Sequence, residues 1–367
     1  MIRGSFPLRI ASSRSRMACW STPDPANPSG CTCQRRPHSG RKNQANEARG
    51  RTMSLRAEML RLGIRMFLKR HRQPFDVGTW RANMHRMERW VPRPPRSTKT
   101  SVVQASHLRL HRIATPASQP GRNVLYLHGG AYVSGAPIYY RHFTWRIANV
   151  TKSTVWALEY RLAPEHPFPA ALDDAVAGFL WLAGETGDPG ELFVMGDSAG
   201  GGLALCLLLR LRDERKPLPA AAVAMSPWTD LALTAPSLIE NAASDPMLNV
   251  RDVPEFVRCY LAGADPYNPH ASPLYGDAFG LPPVLIHVGS DEILRDDAVR
   301  MADKLKQGNP RSRLEVWPRM PHVFQLFVPV LPEAHAAITQ IGEFISNHRC
   351  DTASSAPGPA ESAMRSG

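Results

Sequence analysis

Ser198 stands in Gly196-Asp197-Ser198-Ala199-Gly200, directly after the apolar run Leu192 to Met195 and directly before a helical pattern from Leu203 to Leu211. A serine hydroxyl is a weak nucleophile. It needs a base to take its proton and fixed donors for the charge that develops on an attacked carbonyl. A strand, a sharp turn and a helix around Gly-x-Ser-x-Gly supply that geometry: the turn lifts the hydroxyl above the C-terminal end of the sheet, and the Ala199 N–H faces the developing oxyanion. Gly196 and Gly200 flank the serine where any Cβ would crowd so tight a turn. Alone, the pentad is equally a glycine-rich turn with an idle serine, so its company decides.

That company lies at the ends of other strand-like runs. Asn123 to Leu127 leads into His128-Gly129-Gly130-Ala131-Tyr132, where adjacent glycines let backbone N–H groups approach a ligand. Gly129, Gly130 and Ala199 are therefore the expected oxyanion donors. Thirteen histidines make any one weak evidence. His322 is the expected base because it lies in the loop after the last strand, whereas His335 and His348 fall within or beyond the closing helix. Asp291 is the expected acid, coming first after the run Val284 to Val288 and Gly289, although Glu292, Asp296 and Asp297 stand close by. The chain order is serine, acid, histidine, and each member follows a strand, so all converge on one sheet edge.

The positioning elements alternate. Ser101 to Ala105 and Leu108 to Ala114 read as an antiparallel start. Strands at Asn123 to Leu127, Thr154 to Glu159, Leu192 onward, Ala220 to Met225, Val284 to Val288 and Leu314 to Trp317 are separated by helical patterns. This alternation predicts an α/β class with a mostly parallel, doubly wound sheet. Residues 231–262 interrupt it with two short helical patterns, where a lid could be inserted. The loop from Tyr160 to Ala170 is stiffened by Pro164, Pro167 and Pro169, and Arg161 and Glu165 are expected to brace it. Upstream, Leu55, Met59, Leu62 and Met66 form a helical stripe among arginines, and a second helix spans about Val77 to Trp90. The stripe is expected to pack on the body of the protein in preference to a membrane.

Of the 367 residues, the first 52 carry ten Lys and Arg against two acids. The rest carry 34 against 30. The formal charge of +12 thus reports the N-terminal stretch and does not mark the folded part as a nucleic-acid surface. Residues 1–52, rich in Arg, Ser, Pro and Gly, and residues 350–367 are expected to be disordered extensions. Arg3 and Arg9 break the apolar core a secretion signal needs, and no run approaches a membrane span. Cys206 and Cys259 sit in apolar helical patterns, which fits buried thiols and a reducing, cytoplasmic setting. Cys31-Thr32-Cys33 with His38 is too sparse for a zinc site.

Between about Met53 and Arg349 the sequence resembles the hormone-sensitive-lipase-like esterases of the α/β-hydrolase superfamily, chiefly their bacterial branch. The resemblance rests on His128-Gly129-Gly130-Ala131-Tyr132, Tyr160-Arg161-Leu162-Ala163-Pro164-Glu165, Gly196-Asp197-Ser198-Ala199-Gly200-Gly201, and Asp265-Pro266 with Ser272-Pro273-Leu274. Ala131 stands where that family commonly has a third glycine. The resemblance implies an α/β-hydrolase fold with an eight-stranded sheet and a helical cap built from residues 53–97 and 231–262 over a core of 98–230 and 263–349. It also implies a serine carboxylesterase without metal or organic cofactor, acting on small esters or lactones, with a homodimer as one assembly. Gly289-Ser290-Asp291-Glu292-Ile293-Leu294 looks most like ε-lactone and acetyl hydrolases. An amidase would use the same residues, and a non-catalytic receptor on this fold would lack the serine or histidine.

Overall fold

The computed structural model describes residues 54–68, 76–186 and 189–348. The basic N-terminal stretch, the Cys31 and Cys33 pair with His38, and the C-terminal residues from 349 lie outside them. The described chain runs α1 (Leu55–Leu68), α2 (Val77–Glu88), β1 (Lys99–Ala105), β2 (Leu108–Ala114), β3 (Asn123–Leu127), α3 (Arg141–Thr151), β4 (Thr154–Glu159) and α4 (Ala170–Thr186). It continues with β5 (Leu192–Asp197), α5 (Ala199–Asp213), β6 (Ala221–Met225), α6 (Ser237–Glu240), α7 (Val253–Leu261), β7 (Val284–Gly289), α8 (Arg295–Gly308), β8 (Arg313–Trp317) and α9 (Pro332–Ser346).

Eight strands form one sheet in the order β1-β2-β4-β3-β5-β6-β7-β8. β2 pairs antiparallel with β1 and β4, and every other pairing is parallel. The central strands read as unbroken apolar runs because helices cover both faces. Leu125, Leu127, Val194, Ala222, Ala224 and Ile286 join α4, α5 and α8 in one core cluster. The alternate residues Val124, Tyr126, Phe193, Met195, Val223 and Leu285 join α3 and α9 in the other. Each fully buried Leu or Phe here contributes roughly 1.5–3 kcal/mol through removal from water. Helix α5 is buried nearly all round, from Ala199 to Leu209 and at Leu211, as expected for a helix with the sheet beneath it and neighbours on both sides.

Register places the chemistry. Leu127 pairs with Gly196 and Asp197 with Met225, so the turn after β5 lies between the loops that leave β3 and β6. Gly289 pairs with Trp317, which sets the loops after β7 and β8 side by side.

The two N-terminal helices pack against those loops. α2 is fastened by Trp80 Nε1 donating to Ser134 Oγ (2.8 Å), Arg81 Nε donating to the Val133 carbonyl (2.7 Å) and an Arg81–Glu165 ion pair (2.7 Å). Arg81 pulls the Glu165 carboxyl down to about 2. Arg161 meets Asp174 at 2.8 Å, so both charged loop residues are engaged. α1 packs through Ala57 and Ile64, with Ser54 N donating to Glu333 (2.8 Å) and Arg61 donating to the Arg319 carbonyl (2.7 Å). The stripe expected to pack inward does not: Leu55, Met59, Leu62 and Met66 face outward. Apolar residues lie on two sides of this helix, and the side it buries is the smaller one, Ala57 with Ile64. Among the described residues no helix is long and apolar enough to cross a membrane.

Candidate active site

The turn after β5 holds Ser198 at φ 54°, ψ −124°, a conformation a non-glycine residue adopts only under strain. Neighbouring backbone over-determines it. Ser198 N donates to the Met225 carbonyl (2.8 Å), and the Ser198 carbonyl accepts from Gly202 N and Trp228 N (3.0 Å each). A Cβ on Gly196 would strike the Gly200 carbonyl, and one on Gly200 would strike the Leu127 carbonyl, so the tight turn requires both glycines.

His322 Nε2 lies 2.9 Å from Ser198 Oγ, and its Nδ1 lies 2.8 Å from a carboxylate oxygen. That oxygen belongs to Glu292, not to Asp291. Asp291 turns away and pairs with Arg61 at 2.6 Å. Glu292 is fully buried, and its other oxygen accepts from Gly289 N (2.5 Å) and Ser226 Oγ (2.8 Å). Burial raises the Glu292 pKa, while these donors and His322 oppose the rise. Burial also works against a charged imidazole, yet the hydrogen bond and charge of Glu292 outweigh it and hold His322 above its ordinary value. With Glu292 ionised, Nδ1 carries the proton and Nε2 is free to accept one from the serine.

Sequence reasoning missed the parts that brace the acid. Ser226, at φ 48° after β6, donates to Glu292 and accepts from Val323 N (3.1 Å), linking the acid to the histidine loop. Asn241 Nδ2 donates to the Ser290 and Glu292 carbonyls (3.0 and 2.8 Å), and Asp245 accepts from Ile293 N (2.9 Å). The 231–262 stretch thus grips the acid loop as well as interrupting the strand alternation.

The oxyanion set also needs one correction. Gly129 N donates to Asp197 Oδ1 at 3.0 Å, so it is already spent. Neither Gly130 N–H nor Ala131 N–H has an acceptor among the described residues. Ala199 N–H, in the first turn of α5, has none within the helix. Gly130 takes φ 127° and Ala131 φ 54°, which turns their amides away from ordinary turn bonding. Alanine bears that left-handed conformation in place of the glycine common in the family.

Asp197, next to Ser198, is the anchor of this loop. It accepts from Tyr126 OH (2.7 Å) and Tyr140 OH (3.1 Å) besides Gly129 N. Burial lifts its pKa to about 6 against the pull of those donors. His128 stacks on Tyr160 at 4.3 Å, its carbonyl accepts from Tyr160 OH (2.6 Å), and burial lowers its pKa to about 4, so it is neutral scaffold. Beyond the loop lies a buried aromatic cluster. Tyr132 stacks on Tyr260 of α7 at 3.8 Å, Trp228 lies 6.2 Å from Tyr132, and Trp80 of α2 meets Phe256 edge-on at 6.3 Å.

The chain is similar to known proteins over its described core. Residues 124–326 match the alpha/beta hydrolase fold family. The sequence is 47% identical to an acetyl-hydrolase of Streptomyces hygroscopicus over 63% of this chain and 77% of that one. It is 35% identical to a carboxylesterase/phospholipase of Mycobacterium tuberculosis over 71% of this chain and 73% of the other. Among solved structures, an esterase from the bacterial hormone-sensitive lipase family superposes with TM-score 0.76 at 38% identity, covering 81% of this chain and 99% of that one.

Proposed function

The chain belongs to the α/β-hydrolase family, in its hormone-sensitive-lipase branch, and hydrolyses carboxylic esters; from that premise we propose that it cleaves short- to medium-chain acyl esters through a covalent intermediate on Ser198. The observation that carries this reading is the continuous hydrogen-bond line from Ser198 through His322 to Glu292.

In the first half-reaction His322 Nε2 takes the Ser198 proton as Oγ attacks the ester carbonyl carbon. The carbonyl oxygen becomes an oxyanion and accepts from the N–H groups of Gly130, Ala131 and Ala199. Each such donor is worth on the order of 10²–10³ in rate. Glu292 fixes the imidazole tautomer and stabilises the imidazolium. The tetrahedral species collapses, the ester C–O bond breaks, and the imidazolium proton goes to the departing alkoxide. In the second half-reaction water attacks the acyl carbonyl and His322 takes its proton; the acyl–Oγ bond then breaks, the imidazolium proton returns to Ser198 Oγ, and the carboxylic acid leaves.

In this reading α2 and α7 form the cap side of the site, packed on the loop after β3 through Tyr132 with Tyr260 and Trp80 with Ser134, and α1 lies behind the acid and base loops. Outward-facing Met59 and Met66 do not roof it. Treatment with phenylmethylsulfonyl fluoride, read by intact mass and peptide mapping, tests the nucleophile. One sulfonyl adduct per chain on Ser198, with activity lost in proportion, is expected. A different labelled residue would contradict the assignment. An aryl-ester panel with a lactone and an anilide included then separates esterase from lactonase and amidase.

A further inference from the structure

The outward side of α1 is unusual for a protein surface. Leu55, Met59, Leu62 and Met66 are 78, 68, 60 and 52% exposed. Their spacing of four, three and four residues stacks them into one stripe along the helix. Scattered single apolar side chains on a surface are ordinary, but a contiguous row marks an interaction site. The helix itself is held from behind, since Ala57 and Ile64 are buried on the opposite side and Arg61 is paired with Asp291. The stripe is therefore presented on a fixed support.

Charge indicates what covers it. Arg56 and Arg65 are exposed, lie about 90° to either side of the stripe, and have no ion pair among the described residues. The one carboxylate of α1, Glu58, is held by Arg319 at 2.8 Å. A second copy of the chain would bring two more such arginines and no free carboxylate from this helix. A layer of anionic headgroups offers acceptors on both flanks at once, while the row between them enters the acyl boundary.

We propose that α1 docks this enzyme reversibly onto anionic lipid surfaces, lying in the interface through Leu55, Met59, Leu62 and Met66 with Arg56 and Arg65 at headgroup level. This contact does not depend on the ester chemistry. It would bring the loops bearing Glu292 and His322, which α1 touches through Arg61, close to amphiphilic esters in that surface.

Vesicle flotation of the full chain tests it, with phosphatidylcholine vesicles compared with vesicles in which about a third of the lipid is phosphatidylglycerol. The wild type is expected to float with the anionic vesicles at least about tenfold more than with the zwitterionic ones, and less as salt rises. Met59→Ser/Leu62→Ser should lose most binding, and Arg56→Gln/Arg65→Gln should lose the anionic preference. Both should keep the wild-type melting temperature and p-nitrophenyl acetate hydrolysis, which separates this outcome from a folding or catalytic defect. Absence of wild-type binding would overturn the proposal. Binding that survives in both variants would overturn it too, assigning the attraction to the basic residues 1–52. So would a wild-type dimer that the serine variant converts to monomer, because the face would then belong to a second copy.

Discussion

Asp291 gives its carboxylate to Arg61, 2.6 Å away, while its neighbour Glu292 takes His322. In the turn after β7 the two neighbours point to different sides, one toward α1 and the other toward the histidine. This fixes how the two should behave when neutralised. Glu292→Gln is expected to lower kcat by about 10⁴, as loss of the tautomer-fixing acid does in triads. Because Glu292 holds His322 above its ordinary pKa, activity of the wild type should fall as pH drops through a value above the ordinary histidine range, and the variant's residual activity should fall only at lower pH. Asp291→Asn should leave both kcat and that inflection nearly unchanged. The pH dependence of kcat/KM for the three proteins checks this, and a larger loss in Asp291→Asn would move the acid back.

Asp197 acts through the oxyanion loop, so its effect should be on kcat. Asp197→Asn keeps an acceptor for Gly129 N and Tyr126 OH, which share Oδ1, but turns an amide toward the Tyr140 hydroxyl. A displaced donor loop should lower kcat roughly tenfold to a hundredfold with KM little changed. Tyr126→Phe, which removes one donor and keeps the ring, should cost less. A rise in KM at constant kcat would contradict the positioning role.

Asp297 gives a stability signature. It is buried, accepts from Thr229 N and Asp230 N at 2.8 Å, and burial with nearby Asp230 lifts its pKa to about 8. A folded-state pKa above the unfolded value favours the protonated native form. This contribution is therefore present at low pH and lost as pH rises from about 4 toward about 8. Asp297→Asn carries no such titration. Its melting temperature relative to wild type should climb across that window, as measured by thermal scans at stepped pH. A difference that stays flat or shrinks would contradict the buried-acid reading.

Acyl length tests how much chain the site beside Ser198 can bury. Each added methylene contributes up to about 0.8 kcal/mol while there is room, and overfilling then costs about 1–3 kcal/mol. For p-nitrophenyl esters from acetate to palmitate, kcat/KM should peak at acyl chains of about two to eight carbons. A maximum at palmitate would place the chain among true lipases.

Most of the sheet was legible because strands buried on both faces announce themselves as apolar runs. β2, β3 and β4 begin and end where the pattern does, whereas edge strand β1 starts at Lys99, two residues before its apolar signal, because its first residues are exposed. Ser198 and His322 each follow a strand in the sequence pattern, and the structure brings them within 2.9 Å of each other. The carboxylate on His322 is Glu292, one residue beyond the expected Asp291. Two adjacent carboxylates are indistinguishable in sequence, and their fates depend on Arg61 and Ser226, far away in the chain. Nothing local to Gly129 reveals that Asp197, 68 residues on, claims its amide. Periodicity found the stripe of α1 but not its direction, since Ala57 and Ile64 offered a second apolar side.

The most direct test is kcat of Ser198→Ala on p-nitrophenyl acetate, with circular dichroism to confirm the fold. Removing the nucleophile while leaving His322, Glu292 and the oxyanion amides in place is expected to lower kcat by roughly 10⁵–10⁶. Turnover above a tenth of wild type in the folded variant would mean that Ser198 is not the nucleophile.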